Sequence, residues 1–159
     1  TGHLVISTLH TNDAPTAVTR LLDLGVPPYM INATVLGVMA QRLVRTLCPH
    51  CKVAEPTDSE AWDLMIKPFR AKPPAQTYAP QGCLECRDTG YQGRMGIYEL
   101  LPMTEKVGEL IRDDCDVEGL RRQSLKEGMR TLRLSGAQKV GAGLTTVSEV
   151  LRVSPASEA

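Results

Sequence analysis

The sequence predicts an α/β fragment, the trailing edge of a sheet domain, followed by a cysteine-bounded middle segment and a mainly α-helical C-terminal domain. Three observations carry that expectation. A short apolar run at residues 3–9 precedes two helix-like patterns, and the pairs Cys48/Cys51 and Cys83/Cys86 bracket a stretch broken by prolines. Beyond residue 103, capping residues and apolar spacing repeat at helical intervals. The boundaries read as 1–47, 48–97 and 98–159.

The chain has 159 residues and 42% hydrophobic content, enough to bury a core. Eighteen Lys and Arg balance eighteen Asp and Glu. That neutrality excludes the broad basic field of a non-specific nucleic-acid binder. Aromatics make up 4%, too few for a surface that stacks single-stranded bases. No apolar stretch reaches the roughly 18 to 20 residues needed to span a bilayer, and no secretory-leader pattern is present in these residues. Opening at Thr1-Gly2-His3 in the middle of a strand-like pattern, the chain reads as a piece of a longer protein.

Taken in order, His3-Leu4-Val5-Ile6-Ser7-Thr8-Leu9 reads as a buried strand, because the run is short, apolar and β-branched. Asn12 or Asp13 then caps a helix that carries Pro15 in its first turn and ends at Gly25. After Val26-Pro27-Pro28 a longer helix is expected from Tyr29 to Leu47, since Ile31, Val35, Met39, Leu43 and Leu47 recur every four residues. Met95 to Leu101 reads as a strand after the glycine-rich Gly90-Tyr91-Gln92-Gly93. Helices follow, opened by Thr104, near Val117 and at Thr131. Thr146-Val147-Ser148-Glu149 forms a capping box for a last short one. Residues 154–159 read as a frayed tail.

The cysteines are the strongest chemical signal. Five in a chain without a leader pattern fit a reducing compartment, and four of them form two Cys-x-x-Cys pairs separated by residues 52–82. Each pair can present two thiolates along one edge of a tetrahedron, and zinc at about 2.3 Å from four sulfurs satisfies that geometry. Iron fits the same four donors, because spacing alone does not choose the metal. Cys48, Cys51, Cys83 and Cys86 are therefore the expected metal ligands, in a closed site that is structural. The intervening Lys67-Pro68, Lys72-Pro73-Pro74 and Pro80 rule out a continuous helix or central strand, so the segment is expected to lean on the metal in place of a core. His50 reads as a solvated spacer. Cys115, flanked by Asp113, Asp114 and Asp116, reads as an inert thiol.

His3 and His10 bracket the first predicted strand. In an open α/β sheet, ligands bind beyond the carboxyl ends of the strands, which places Ser7, Thr8, His10 and Thr11 nearer a ligand than His3. Hydroxyls and an imidazole there suit a phosphate-bearing ligand. Equally, the hydroxyls satisfy a strand end and the histidine is an ordinary surface loop residue. No Gly-x-x-x-x-Gly-Lys-Ser/Thr cradle occurs in these residues, nor any nucleophile and base pair, so the chain is expected to be inactive alone.

Four stretches together resemble one family. Thr1-Gly2-His3-Leu4-Val5-Ile6-Ser7-Thr8-Leu9-His10-Thr11-Asn12-Asp13-Ala14 resembles the histidine box of bacterial secretion ATPases. Ala40-Gln41-Arg42-Leu43-Val44-Arg45 leading into Cys48-Pro49-His50-Cys51-Lys52, the Gly90–Leu100 stretch, and Gly143–Val153 follow in that family's order. The resemblance is to the C-terminal part of type II secretion ATPases, with type IV pilus assembly ATPases as near relatives. It implies the edge of a RecA-like ATPase core at 1–47 and a cytoplasmic hexamer peripherally associated with the inner membrane. That hexamer would use ATP and magnesium to drive pseudopilus assembly through inner-membrane platform proteins. His3 and His10 would be the catalytic positions. Thr8, Thr11, Gln41 and Arg42 would be the nucleotide-facing ones, and zinc would sit on the four cysteines. A free-standing zinc-ribbon module for nucleic acid or protein is the alternative from another class, with Arg42, Arg45, Lys52 and His50 as its nearest basic face. The neutral total charge argues against it. A thiol redox protein conflicts with two paired knuckles that would hold metal.

Overall fold

The computed structural model of the chain describes residues 2–154. These form α1 (Ala14–Asp23), α2 (Pro28–Thr34), β1 (Gly37–Leu47), β2 (Val53–Pro56), α3 (Ser59–Ile66), β3 (Gln76–Ala79), β4 (Tyr91–Pro102), α4 (Glu105–Gly108), α5 (Val117–Lys126), α6 (Leu132–Gly141) and α7 (Val147–Val153). A 3₁₀ turn at Leu84–Cys86 lies between β3 and β4. Strand β1 pairs with β4, and β2 runs antiparallel to β3 with Val53 opposite Ala79 and Pro56 opposite Gln76. The class is mixed α/β. No helix among the described residues is long and apolar enough to cross a membrane. The tail expected to fray at 154–159 lies, past Ser154, outside the described residues.

The described residues gather into two compact units, 2–40 with Leu100–Met129, and Gln41–Glu99 with 130–154. The helices after β4 therefore do not make a domain of their own over 98–159. Helices α4 and α5 belong to the first unit and α6 and α7 to the second. Their packing divides the same way. Helix α5 buries Leu120 and packs on α1 and α4, while α6 and α7 pack on each other and on α3.

In the first unit the local signals hold. Asp13 adopts an extended backbone (φ −149°) and its Oδ1 accepts the Thr16 N–H at 3.0 Å, satisfying a donor the helix cannot. At the other end Gly25 takes φ +84°, which lets its N–H reach Leu22 O (2.8 Å) and the Val26 N–H reach Leu21 O (3.1 Å). Thr104 caps α4 through the Val107 N–H, and Asp116 caps α5.

Two expected elements differ. Residues 3–9 form no strand: Leu4, Val5 and Ile6 are 74%, 80% and 88% exposed, and no strand among the described residues lies beside the run. An extended segment without a ladder partner has neither backbone hydrogen bonds nor a covered face. The helix expected over Tyr29–Leu47 is instead α2, which ends at Thr34, followed by strand β1. In β1 the even positions turn inward, with Ala40 and Val44 at 8% and 0% exposure, whereas Met39 and Leu43 stand at 62% and 46%. A repeat of four is two strand periods as well as about one helical turn, so the apolar spacing fits both. The β-branched Val35, Val38, Val44 and Thr46, and Gly37, favour the strand.

In the second unit, α3 buries Trp62, Met65 and Ile66, so the proline-broken segment brings apolar surface of its own to α6 and α7. Strand β4 turns Ile97 and Glu99 inward, and Glu99 accepts the Leu132 N–H (3.3 Å) at the start of α6, where a carboxylate suits the helix dipole. Gly136 faces α7 so closely that a Cβ there would collide with both methyls of Val150. An exposed helical glycine gains about 1 kcal/mol on replacement by alanine. Here Gly136→Ala is expected to cost about 1–3 kcal/mol instead, read as a lowered urea midpoint, because Val150 is stiff at χ1 and fully buried.

Candidate metal centre

Cys48 and Cys51 follow directly on β1, while Cys83 caps and Cys86 ends the 3₁₀ turn before β4. The two knuckles are built alike. The Cys51 and Lys52 N–H groups donate to Cys48 O, and the Cys86 and Asp88 N–H groups donate to Cys83 O, so each pair curls its two sulfurs to one side. The Cys48 N–H bonds to Gly90 O at 3.0 Å, which ties the first knuckle to the lead-in of β4.

All four Sγ atoms lie within 4.8 Å of one another. The Cys48–Cys83, Cys51–Cys86 and Cys83–Cys86 separations are 3.9, 3.7 and 3.7 Å. A tetrahedron with metal–sulfur bonds of about 2.3 Å has edges of about 3.8 Å, so the donor set fits a tetrahedral thiophilic ion. None of the four is disulfide-bonded, and Cys48, Cys51 and Cys86 are buried.

Backbone N–H groups complete the shell around the sulfurs. Gly82 donates to Cys51 Sγ (3.3 Å), while Cys83 and Gly90 both donate to Cys86 Sγ (3.2 Å each). Gly90 holds φ +73° with Pro80 packed where a side chain would begin, so only glycine brings its N–H to that sulfur. Burial pushes the Cys51 thiol up to about 12. Burial opposes ionisation of Cys86 too, but the Cys83 and Gly90 N–H groups prevail and bring it down to about 6. One sulfur is thus prepared as a thiolate while another resists ionisation, and a divalent cation is what allows all four to bind as thiolates. With four protein donors and no open position, such an ion would be structural.

Lys52 Nζ donates to Gly143 O at 2.7 Å and lies 4.6 Å from the Tyr78 ring centroid, fastening the first knuckle to the C-terminal end of α6. His50 is exposed between the first two ligands. The Cys115 thiol is raised, first by burial and then by Asp116 and Asp114.

The catalytic candidates His3 and His10 and the nucleotide-facing candidates are placed differently. His3, Thr8 and His10 are exposed and Thr11 half-buried in an irregular stretch of the first unit, with Thr11 Oγ1 donating to Asp13 O at 3.2 Å. Gln41 and Arg42 lie on β1 in the second unit. There Gln41 Nε2 reaches Tyr98 Oη (3.4 Å) and an Arg42 Nη donates to Gln41 O (2.9 Å). The four cysteines are brought together by the fold, and the spacing of the pairs signalled it. Gly82, Gly90 and Lys52 carry no comparable signal beyond their adjacency to a cysteine pair.

The family described as type II/IV secretion system protein matches residues 1–152. The chain is 49% identical over 155 residues to the type IV pilus assembly ATPase TfpB of Acinetobacter baylyi. It is 43% identical over 157 residues to the type II secretion system ATPase E of Vibrio cholerae, and 46% over 163 to the type II secretion system protein E of Klebsiella pneumoniae. These alignments cover 98%, 99% and 100% of this chain but 26%, 31% and 31% of the relatives, so the chain spans about a quarter to a third of their length. With the match running from the histidine-bearing start through the cysteine centre to α7, the chain belongs to the type II/IV secretion system protein family.

Proposed function

We propose that this chain is the C-terminal part of the cytoplasmic, hexameric ATPase that powers type II protein secretion. That ATPase would hydrolyse ATP with magnesium and drive pseudopilus assembly through inner-membrane platform proteins, with which it associates peripherally. The observation that carries the reading is the family match along residues 1–152, together with relatives named for type II secretion at 43% and 46% identity. Within it, residues 1–47 are the edge of a RecA-like core. The exposure of Leu4, Val5 and Ile6 supports this, since such a run is suited to burial beside neighbouring strands. His3 and His10 act at the nucleotide phosphates, with Thr8, Thr11, Gln41 and Arg42 facing the nucleotide. Zinc occupies Cys48, Cys51, Cys83 and Cys86 and braces the two knuckles that bracket residues 52–82. A second reading, a type IV pilus assembly ATPase, draws on the 49% identity to the Acinetobacter baylyi protein.

The test is kinetic. In the full-length ATPase, His10→Ala is expected to lower kcat by about 10- to 100-fold with little change in nucleotide affinity, as loss of a group acting on the reacting phosphate would. Unchanged steady-state turnover counts against the role. The 159-residue chain is expected to show no magnesium-dependent hydrolysis, because no phosphate-cradling Gly-Lys-Ser/Thr loop occurs in it. Complementation of a secretion-null strain against a pilus-null strain separates the two readings.

A further inference from the structure

The histidine-bearing stretch is irregular and exposed from residue 2 to residue 10, yet it runs into one of the most heavily bonded carboxylates of the first unit. Asp13 is 5% exposed. Its Oδ1 accepts from the Thr16 N–H (3.0 Å) and Thr16 Oγ1 (2.6 Å), and its Oδ2 accepts from an Arg121 Nη at 2.9 Å. Arg121 lies in α5, 108 positions later. Its side chain is 19% exposed, and its Nε also reaches Glu118 Oε1 at 3.3 Å, so the guanidinium is held from both ends. Burial opposes the Asp13 charge, but Thr16 and Arg121 outweigh it and hold the carboxyl below its ordinary range.

The bond from the Thr16 N–H is all that Asp13 needs to cap α1, a role asparagine or serine fills elsewhere. The arginine adds something the cap does not need: a half-buried, charge-assisted bond tying the residue three places after His10 to a different helix. Between them, Thr11 Oγ1 bonds to Asp13 O, so the end of the stretch is fastened to the same point.

We propose that Arg121 is a positioning residue for the histidine-bearing stretch: by gripping Asp13 from α5 it sets where Thr11 and His10 leave the helix, and so where the imidazole stands relative to the nucleotide. The proposal deepens the reading of His10 given above and rests on it for its catalytic consequence. The geometric part stands on the Asp13–Arg121 pair alone. Because reacting groups tolerate little misplacement, slackening this tether costs turnover and leaves nucleotide binding intact.

The experiment uses the full-length ATPase with four variants, Arg121→Ala, Asp13→Asn, the double variant and His10→Ala. The Asp13→Asn variant retains a cap for Thr16 and loses the charged pair, so it keeps the test open should Arg121→Ala fold poorly. The expected result is a fall in kcat of about tenfold for each tether variant with KM for ATP within about twofold, and no further fall in the double variant. Hydrogen exchange of peptides spanning residues 3–16 should be faster, and Arg121→Lys should recover part of both effects. Arg122→Ala, at an exposed pair with Asp116 (3.5 Å), is the control expected to change neither. Unchanged kcat in Arg121→Ala and Asp13→Asn, with His10→Ala impaired, overturns the proposal. If His10→Ala too is unaffected, the histidine reading fails, and exchange decides the geometric part. Faster exchange across 3–16 upholds the tether, and unchanged exchange overturns it.

Discussion

Stripping this protein with a strong chelator under reducing conditions is expected to release one divalent ion per chain and to free residues 47–52 and 82–91. The four sulfurs meet within 4.8 Å, and without a cation burial drives the Cys51 thiol toward its protonated form while Cys86 favours the thiolate. Structural zinc sites in small peptides carry roughly 10–16 kcal/mol of apparent binding free energy. Part of that holds these knuckles, and Cys86→Ser is expected to lower stability on the order of 5 kcal/mol, about 10–20 °C in Tm. The damage should stay local. Trp62, the single tryptophan, is 6% exposed in α3 against α6 and α7, a packing that does not pass through the sulfurs. Its emission should therefore remain that of a buried indole after chelation, while hydrogen exchange accelerates at both knuckles. A reduced, metal-free preparation with both knuckles still protected from exchange would falsify the site. A red shift of Trp62 on chelation would show that the metal holds the whole segment, as the proline content alone suggests.

What was legible in the sequence was local. Asp13, Thr104, Thr131 and Thr146 each cap the helix their spacing predicts, because a cap bonds a donor two or three residues away. The cysteine pairs were legible for the same reason: a knuckle is a four-residue object. Strand β1 was not, since its apolar steps of four match both periods and the deciding partner, β4, lies far along the chain. Residues 3–9 show the converse, a strand pattern with no neighbour among the described residues to pair with it. Arg121 and Asp13 sit 108 positions apart and Arg45 and Glu149 sit 104 apart, distances at which charge alone predicts no partner. At Glu149 the local signal was half right. The Thr146 Oγ1 accepts the Glu149 N–H as a capping box requires, but the Glu149 carboxylate turns to Arg45 and Arg152.

That carboxylate makes the second large effect. Glu149 is buried, and accepts the Arg45 backbone N–H (3.0 Å), an Arg45 Nη (2.7 Å), and the Arg152 Nη (2.9 Å) and Nε (3.3 Å). It therefore closes the free edge of β1 at Arg45, where Thr145 Oγ1 donates to the Arg45 carbonyl (2.7 Å) and the Arg45 guanidinium lies 4.0 Å from the Tyr91 ring centroid. The hydrogen bond from Arg45 leads in holding its pKa at about 2, against an ordinary 4.5. A carboxyl depressed on folding adds stability that is complete above the unfolded value and lost as pH falls through the folded one. The window is thus about pH 4.5 down to 2. Arg45 and Arg152 are about half exposed, so solvent screens the pair and the contribution is about 2 kcal/mol. Glu149→Ala should cost somewhat more, about 3 kcal/mol at pH 7, because it also leaves the Arg45 N–H unpaired. Urea unfolding at pH 7, 4 and 3 should show the wild-type stability falling across the acid range, and Glu149→Gln flattening that fall. An unchanged acid slope in Glu149→Gln would mean that other carboxylates carry the pH dependence and that the clasp on β1 is held by packing alone.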